Sequence, residues 1–135
     1  MTIVKFQYDM SEAINKLYGI YHADGGLVGE LAYIFGKYTG NVHCSLCDIT
    51  HNKITMKKEW KSFCKEFPIP FDLLHLNERS ENLILESDNQ TPCILAQTEN
   101  KTFILLSAEE LENCNKSVNK FKIILQDKLK LHTDS

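Results

Sequence analysis

The feature that most constrains the fold is a pair of short apolar segments separated by three polar residues. Residues 93–98 (C-I-L-A-Q-T) and 102–106 (T-F-I-L-L) each have the length and composition of a β-strand, and the polar residues 99–101 lie between them. Two such segments with a short polar connection are typical of an antiparallel hairpin. Thr91 and Pro92 open the first of these strands.

The remaining apolar segments alternate between strand-like and helix-like patterns. Residues 17–22 and 71–76 are short apolar runs, which predict two buried strands. Apolar side chains that recur at steps of three and four predict helices, and Pro68 and Pro70 end one of them because the residue before a proline disfavours helical conformation. The predicted helices cover about 27–38, 56–67 with Thr55 as a plausible N-cap, and 117–130.

The order of these elements predicts an α/β fold. Ser107 and Glu110 have the spacing of a capping box, so we expect a short helix directly after the hairpin. The whole order predicts a mixed sheet of about four strands flanked by helices. The length of 135 residues predicts a single domain over 1–135, with its core at about 17–130.

The composition excludes several classes of function. Charged residues make up 24% of the chain and the formal net charge is −3, so we expect no nucleic-acid partner. No apolar run approaches the roughly 18 residues of a membrane-spanning helix, and the first residues do not have the pattern of a signal peptide. The five cysteines are irregularly spaced, which argues against a disulfide framework. We therefore expect a soluble, cytoplasmic protein without membrane contacts.

The densest group of chemically active residues lies in 41–52, which reads N-V-H-C-S-L-C-D-I-T-H-N. A C-x-x-C turn brings the sulfurs of Cys44 and Cys47 close enough to share a metal ion, and His51 and His43 are near them in sequence. Zinc takes four thiolate or imidazole ligands. One hypothesis is therefore a zinc site formed by these two cysteines and two histidines.

The same two cysteines also fit thiol redox chemistry. Cys44 and Cys47 can cycle between a dithiol and a disulfide, with His43 or His51 raising the thiolate fraction. Cys44 is the expected attacking thiol, because it is the more N-terminal of the two and is expected to be the more exposed. A third interpretation is structural: both cysteines pack as small apolar residues.

A second group of candidates lies where strands end. The A-D-G-G turn follows the first predicted strand, and exposed amides at a helix start bind anions, so Asp24, Gly25 and Gly26 are candidate ligand-binding residues. A simpler interpretation is a tight turn with Asp24 as the helix N-cap. His75 and His22 each end a predicted strand, and ligands of open α/β sheets bind outside the carboxyl ends of strands.

The element order and one dipeptide resemble the thioredoxin-like fold. In that family a Thr-Pro with a cis bond opens the third strand beside the redox site, and Thr91-Pro92 stands at that place here. The hairpin and the following helix are similar to the family's closing ββα unit. The resemblance implies that Thr91 and Pro92 line a cleft together with the A-D-G-G turn.

The position of the cysteines departs from this family's pattern. In thioredoxin-like oxidoreductases the C-x-x-C directly follows the first strand, whereas Cys44 and Cys47 come about twenty residues later. Their catalytic role therefore does not follow from position in the sequence. The A-D-G-G and C-x-L-C-D-I-T-H motifs are also similar to a group of short, uncharacterised prokaryotic proteins.

These patterns predict a small soluble protein whose function centres on Cys44, Cys47 and His51. The expected chemistry is either metal binding or thiol redox, the latter in a protein that resembles a thiol–disulfide oxidoreductase. The alternative is a non-enzymatic ligand- or protein-binding module in which the Cys/His segment is structural. The expected partner is a small molecule or a protein thiol.

Overall fold

The computed structural model describes residues 13–24, 44–52 and 55–134. Within these ranges one mixed sheet has four strands, β1 Lys16–Ile20, β2 Phe71–Leu74, β3 Cys93–Gln97 and β4 Thr102–Leu106. The strand order is β2-β1-β3-β4, with β1 and β2 parallel and the other two neighbouring pairs antiparallel. The prediction of an α/β fold with a mixed sheet of about four strands is therefore confirmed.

Five α-helices and one 3-10 turn accompany the sheet in the described part of the chain. They are α1 Ser45–Thr50, α2 Lys58–Glu66, α3 Glu81–Ser87, α4 Ala108–Glu112 and α5 Val118–Asp134, with the 3-10 turn at Leu76–Glu78. None of these described helices is long and apolar enough to cross a membrane. The predicted helix at 27–38 lies outside the described residues.

The hairpin forms where the sequence predicts it. Gln97 and Thr102 are the last paired residues before the turn. Thr98 closes the turn, because its N–H donates to the Lys101 carbonyl at 2.8 Å and its hydroxyl accepts from the Lys101 N–H at 3.1 Å. Local polar contacts therefore fix the register of β3 and β4.

The two parallel strands end earlier than predicted, and this matters for the site. The sequence predicts strands to residues 22 and 76, but β1 ends at Ile20 and β2 ends at Leu74. Beyond these points the two segments are still hydrogen-bonded to each other, because the Leu76 N–H donates to the Ala23 carbonyl at 2.8 Å. The segments that follow β1 and β2 thus lie side by side at the same edge of the sheet.

The helix predicted to follow an N-cap at Thr55 begins only at Lys58, and its N-cap is Lys57. The preceding residues are extended, since Met56 pairs with His51 in an isolated antiparallel bridge and the Lys57 N–H donates to the Thr50 carbonyl at 2.8 Å. The helix ends before Pro68 and Pro70, as predicted.

The sheet carries apolar side chains on both faces, alternating along each strand. On one face Leu17, Ile94 and Ala96 pack against α1, α2, α4 and α5, while on the other Ile20 and Leu95 pack against α3. Burying each large aliphatic side chain stabilises the fold by about 1.5–3 kcal/mol. The larger core includes a group of aromatic rings in contact with one another, which are Trp60, Phe63, Phe71 and Phe121.

Gly19 allows α1 to lie close to β1. A Cβ atom at Gly19 would be 2.7 Å from Leu73 Cδ2 and 3.2 Å from Leu46 Cδ2. Carbon atoms in van der Waals contact are about 3.5–4.0 Å apart, so any larger residue would push these side chains away. The absence of a side chain at Gly19 therefore helps to hold α1, and the cysteines on it, against the end of β1.

Candidate functional site

The two cysteines lie in the first turn of α1. Cys44 is the N-cap residue, in extended conformation, and its Sγ accepts a hydrogen bond from the Cys47 N–H at 3.3 Å. The helix then propagates from the Cys44 carbonyl, which accepts from the Asp48 N–H at 3.1 Å. This turn brings the Cα atoms of Cys44 and Cys47 to 5.2 Å, and the two sulfurs form a disulfide.

The same turn brings Cys44 next to the end of β1. The backbone N–H of His22, two residues beyond the last residue of β1, donates to Cys44 Sγ at an N···S distance of 3.5 Å. Residues 22 and 44 are 22 positions apart in the sequence. The C-x-x-C is far from the first strand in the sequence, but it therefore lies next to the end of that strand in the structure.

Both cysteines are buried, and not in the order predicted. Cys44 is 1% exposed and Cys47 is 6% exposed. The expectation that Cys44 is the more exposed cysteine is wrong, because its sulfur points inward to the His22 amide.

The predicted Thr-Pro segment lies beside the same strand end. The Thr91–Pro92 peptide bond is cis, and Pro92 is buried. The Thr91 Oγ1 and His22 Nδ1 atoms are hydrogen-bonded at 2.8 Å. His22 thus contacts the disulfide through its backbone and the Thr-Pro segment through its side chain.

A buried tyrosine, which the sequence analysis missed, connects α1 to β1 and β2. Tyr21 is 4% exposed, and its hydroxyl lies 2.9 Å from Thr50 Oγ1 and 3.5 Å from His51 Nδ1. Its ring centroid is 5.1 Å from that of His75. The available signal was the position of Tyr21 directly before His22, a histidine at a strand end. The apolar pattern by itself predicts only that Tyr21 is buried in the core.

His51 and His75 have partners within this cluster. His51 Nδ1 lies 2.7 Å from Thr50 Oγ1. The N–H and the Nδ1 of His75 are each 2.7 Å from Glu78 Oε1, and hydrogen bonds from His75 lower the pKa of the Glu78 carboxyl group. His75 therefore caps the 3-10 turn and packs beside Tyr21 with the two rings tilted by 56°, at the edge of the cluster rather than on the cysteines.

Of the remaining predicted site residues, one is described by the structure and three are not. Asp24 is exposed, and it follows Ala23, whose carbonyl joins the two strand ends. Gly25, Gly26 and His43 lie outside the described residues. The predicted anion-binding turn and the fourth zinc ligand are therefore predictions without a structural counterpart here.

The zinc hypothesis requires four donor side chains that lie close together. Among residues 13–24, 44–52 and 55–134, no three His, Cys, Asp or Glu side chains are grouped so that they could hold a metal ion. Cys44 and Cys47 are paired with each other, and His51 Nδ1 is engaged by Thr50. The described part of the predicted ligand set, in this conformation, supplies fewer than the four ligands of a structural zinc site.

The three other cysteines have no thiolate character at neutral pH. Burial raises the pKa of the Cys64 thiol to about 11, that of Cys93 to about 12 and that of Cys114 to about 11. Cys93 follows Pro92, but its side chain packs on the face of the sheet covered by α3. Only the Cys44–Cys47 pair therefore combines sulfur with hydrogen-bond donors directed at it in the described part of the chain.

Comparison of the chain with models of known protein families, with curated proteins and with solved structures gave no match.

Proposed function

We propose that this chain is a thiol–disulfide exchange protein in which Cys44 and Cys47 alternate between a disulfide and a dithiol. The observation that carries the proposal is the position of the pair at the end of β1. There, the amides of Cys47 and His22 both point at Cys44 Sγ. Donors aimed at a sulfur favour its anionic form, which is both the nucleophile and the leaving group in exchange.

The reaction transfers two electrons and two protons from a partner dithiol to the protein disulfide. A partner thiolate attacks one sulfur of the pair, so the Cys44–Cys47 bond breaks and a mixed disulfide forms. The second partner thiol then attacks the partner sulfur of the mixed disulfide. The partner leaves oxidised, and both protein cysteines become thiols after taking up the two protons that the partner lost.

The resemblance to thioredoxin-like proteins supports this proposal. The mixed four-stranded sheet and the position of Thr91-Pro92 directly before β3 agree with the expectation from that resemblance. The hydrogen bond from His22 to Cys44 Sγ supplies the proximity to the first strand that the sequence spacing lacks. The partner expected from this chemistry is a protein thiol or a small thiol, in a reducing compartment such as the cytoplasm.

Zinc binding by Cys44, Cys47, His51 and His43 stays a prediction for the reduced protein. Reduction would free two thiols in the first turn of α1, and thiolates are strong zinc ligands. His51 already lies one helical turn beyond Cys47. The test of the redox proposal therefore measures metal and thiols in one sample.

The test is a thiol count on untagged protein purified without chelator. We expect three thiols in the unfolded, oxidised protein and five after reduction, because Cys64, Cys93 and Cys114 are free and the chain has five cysteines. Reoxidation by a small disulfide should restore the lower count. The reduced protein should accelerate the transfer of electrons from dithiothreitol to oxidised glutathione.

Two variants make the test specific. The Cys44→Ser/Cys47→Ser double variant should lose the acceleration, whereas Cys64→Ser should keep it, because Cys64 is a half-buried free thiol on α2. Five thiols that no mild oxidant can pair in the folded protein would contradict the proposal. About one zinc ion per chain, lost in the double variant, would favour the metal site instead.

A further inference from the structure

We propose that the incoming thiolate attacks Cys47 Sγ and that Cys44 is the leaving thiolate. This inference rests on the proposed exchange function and adds the order of the two sulfurs. It is the reverse of the order expected from the sequence, in which Cys44 was the attacking thiol.

Both cysteines are buried, but Cys44 is the more completely buried of the two. Cys47 is 6% exposed, whereas Cys44 is 1% exposed and turned toward the backbone that follows β1. Thiol–disulfide exchange needs the attacking sulfur to approach along the line of the bond that breaks, so access to one sulfur decides which bond partner leaves. Cys47, the residue farther along the helix, is the less completely buried of the two and therefore the expected point of attack.

Stabilisation of the leaving group favours the same order. In the described part of the chain, the backbone amides that reach the sulfurs of this pair, those of His22 and Cys47, both donate to Cys44 Sγ. A sulfur that leaves as a better-stabilised thiolate leaves faster. When Cys47 is attacked, the leaving sulfur is that of Cys44, which already accepts these two hydrogen bonds. When Cys44 is attacked, the leaving sulfur is that of Cys47, which does not accept them.

The atoms balance as follows. The partner thiolate forms a sulfur–sulfur bond with Cys47, and the electron pair of the broken disulfide moves to Cys44 Sγ. A second partner thiol then attacks the partner sulfur and releases Cys47, which takes up a proton. In the reverse direction, the thiolate of Cys47 attacks the partner disulfide and Cys44 completes the reaction, because forward and reverse steps share one path.

The test traps the first mixed disulfide on the wild-type chain, so it does not depend on a variant that folds. The oxidised protein is mixed with an isotope-labelled monothiol, N-acetylcysteine, and quenched with acid at short times. Peptide mass spectrometry then locates the label. We expect at least about tenfold more label on Cys47 than on Cys44 at the earliest times.

Each other outcome has one meaning. Label mainly on Cys44, or equal label on both cysteines, would overturn the order of attack and leave the proposed exchange function intact. No label on either cysteine, in protein that circular dichroism shows to be folded, would overturn the exchange function and with it the order.

Discussion

The backbone N–H of His22 donates to Cys44 Sγ at 3.5 Å, and the His22 ring lies 2.8 Å from Thr91 Oγ1. One residue therefore connects the end of β1 to the disulfide through its main chain and to the Thr-Pro segment through its side chain. The two contacts can be separated by mutation, because replacing the ring leaves the backbone amide in place.

His22→Ala should keep the disulfide and weaken the fold slightly. The lost hydrogen bond to Thr91 is exposed, so we expect a decrease of about 0.5–1 kcal/mol in the free energy of unfolding. Thr91→Val removes the same bond from the other side. In urea denaturation the double variant should therefore cost less than the sum of the single variants. Strict additivity of the two changes would show that the contact contributes nothing to stability.

The hairpin and the capping box of α4 were predictable because their signals are local. Thr98 and Lys101 close the turn within four residues, and Ser107 and Glu110 each accept from the other's backbone N–H. Such contacts depend only on residues close in sequence. The order of elements along the chain likewise predicts a mixed sheet of about four strands, but it does not predict the strand order.

The geometry of the site was not predictable for the opposite reason. α1 has only six residues, and all of them are buried, so tertiary packing rather than helical periodicity stabilises it. Cys114 shows the same limit: it lies in a polar stretch of sequence but is fully buried in the core beside Leu111. The convergence of His22, Cys44 and Thr91 depends on contacts across 22 and 69 positions, which no local pattern encodes.

Tyr21→Phe should destabilise the link between β1 and α1. The tyrosine hydroxyl is buried and lies 2.9 Å from Thr50 Oγ1, so its removal leaves the threonine with one partner fewer. We expect a loss of about 1–2 kcal/mol in the free energy of unfolding. The ring contact with His75 is kept in this variant, which isolates the hydroxyl.

The matched control for Tyr21→Phe is Tyr18→Phe. Tyr18 lies on β1, three residues before Tyr21, and its hydroxyl donates to Gln97 Oε1 at 3.4 Å, a longer and only partly buried bond. Its loss should cost less than about 0.5 kcal/mol by the same measurement. Equal costs for the two variants would contradict a special role for the Tyr21 hydroxyl.

Gly19→Ala should strain the contact between α1 and the sheet. The new methyl group would lie 2.7 Å from Leu73 Cδ2, and that side chain must move. Overpacking of this kind costs about 1–3 kcal/mol, measured as a lower midpoint of urea denaturation. In the Leu73→Ala background the shortest contact is removed and those at 3.2 Å with Leu46 Cδ2 and Phe71 Cε1 remain, so the same substitution should cost less there. A similar cost in both backgrounds would show that the contact with Leu73 does not determine the cost.

The thiol of Cys93 should make the protein less stable at alkaline pH. Burial raises the pKa of this thiol from 9.0 to about 12, partly opposed by the positive charge of Arg79. Above pH 9 the unfolded chain releases this proton while the folded chain holds it. The contribution of the protonated Cys93 thiol to the free energy of unfolding is therefore complete below pH 9, and it is lost as the pH rises toward 12.

Replacing Cys93 should flatten this alkaline loss of stability. Cys93→Ala is expected to cost about 1 kcal/mol at neutral pH and to decline less steeply than the wild type above pH 9. Ile94→Val, a truncation at the next position of β3, should cost about 0.5–1.5 kcal/mol at every pH and keep the wild-type slope. Urea denaturation between pH 7 and 10.5 measures both slopes. If Cys93→Ala and Ile94→Val declined in parallel, the thiol would not be the group that titrates.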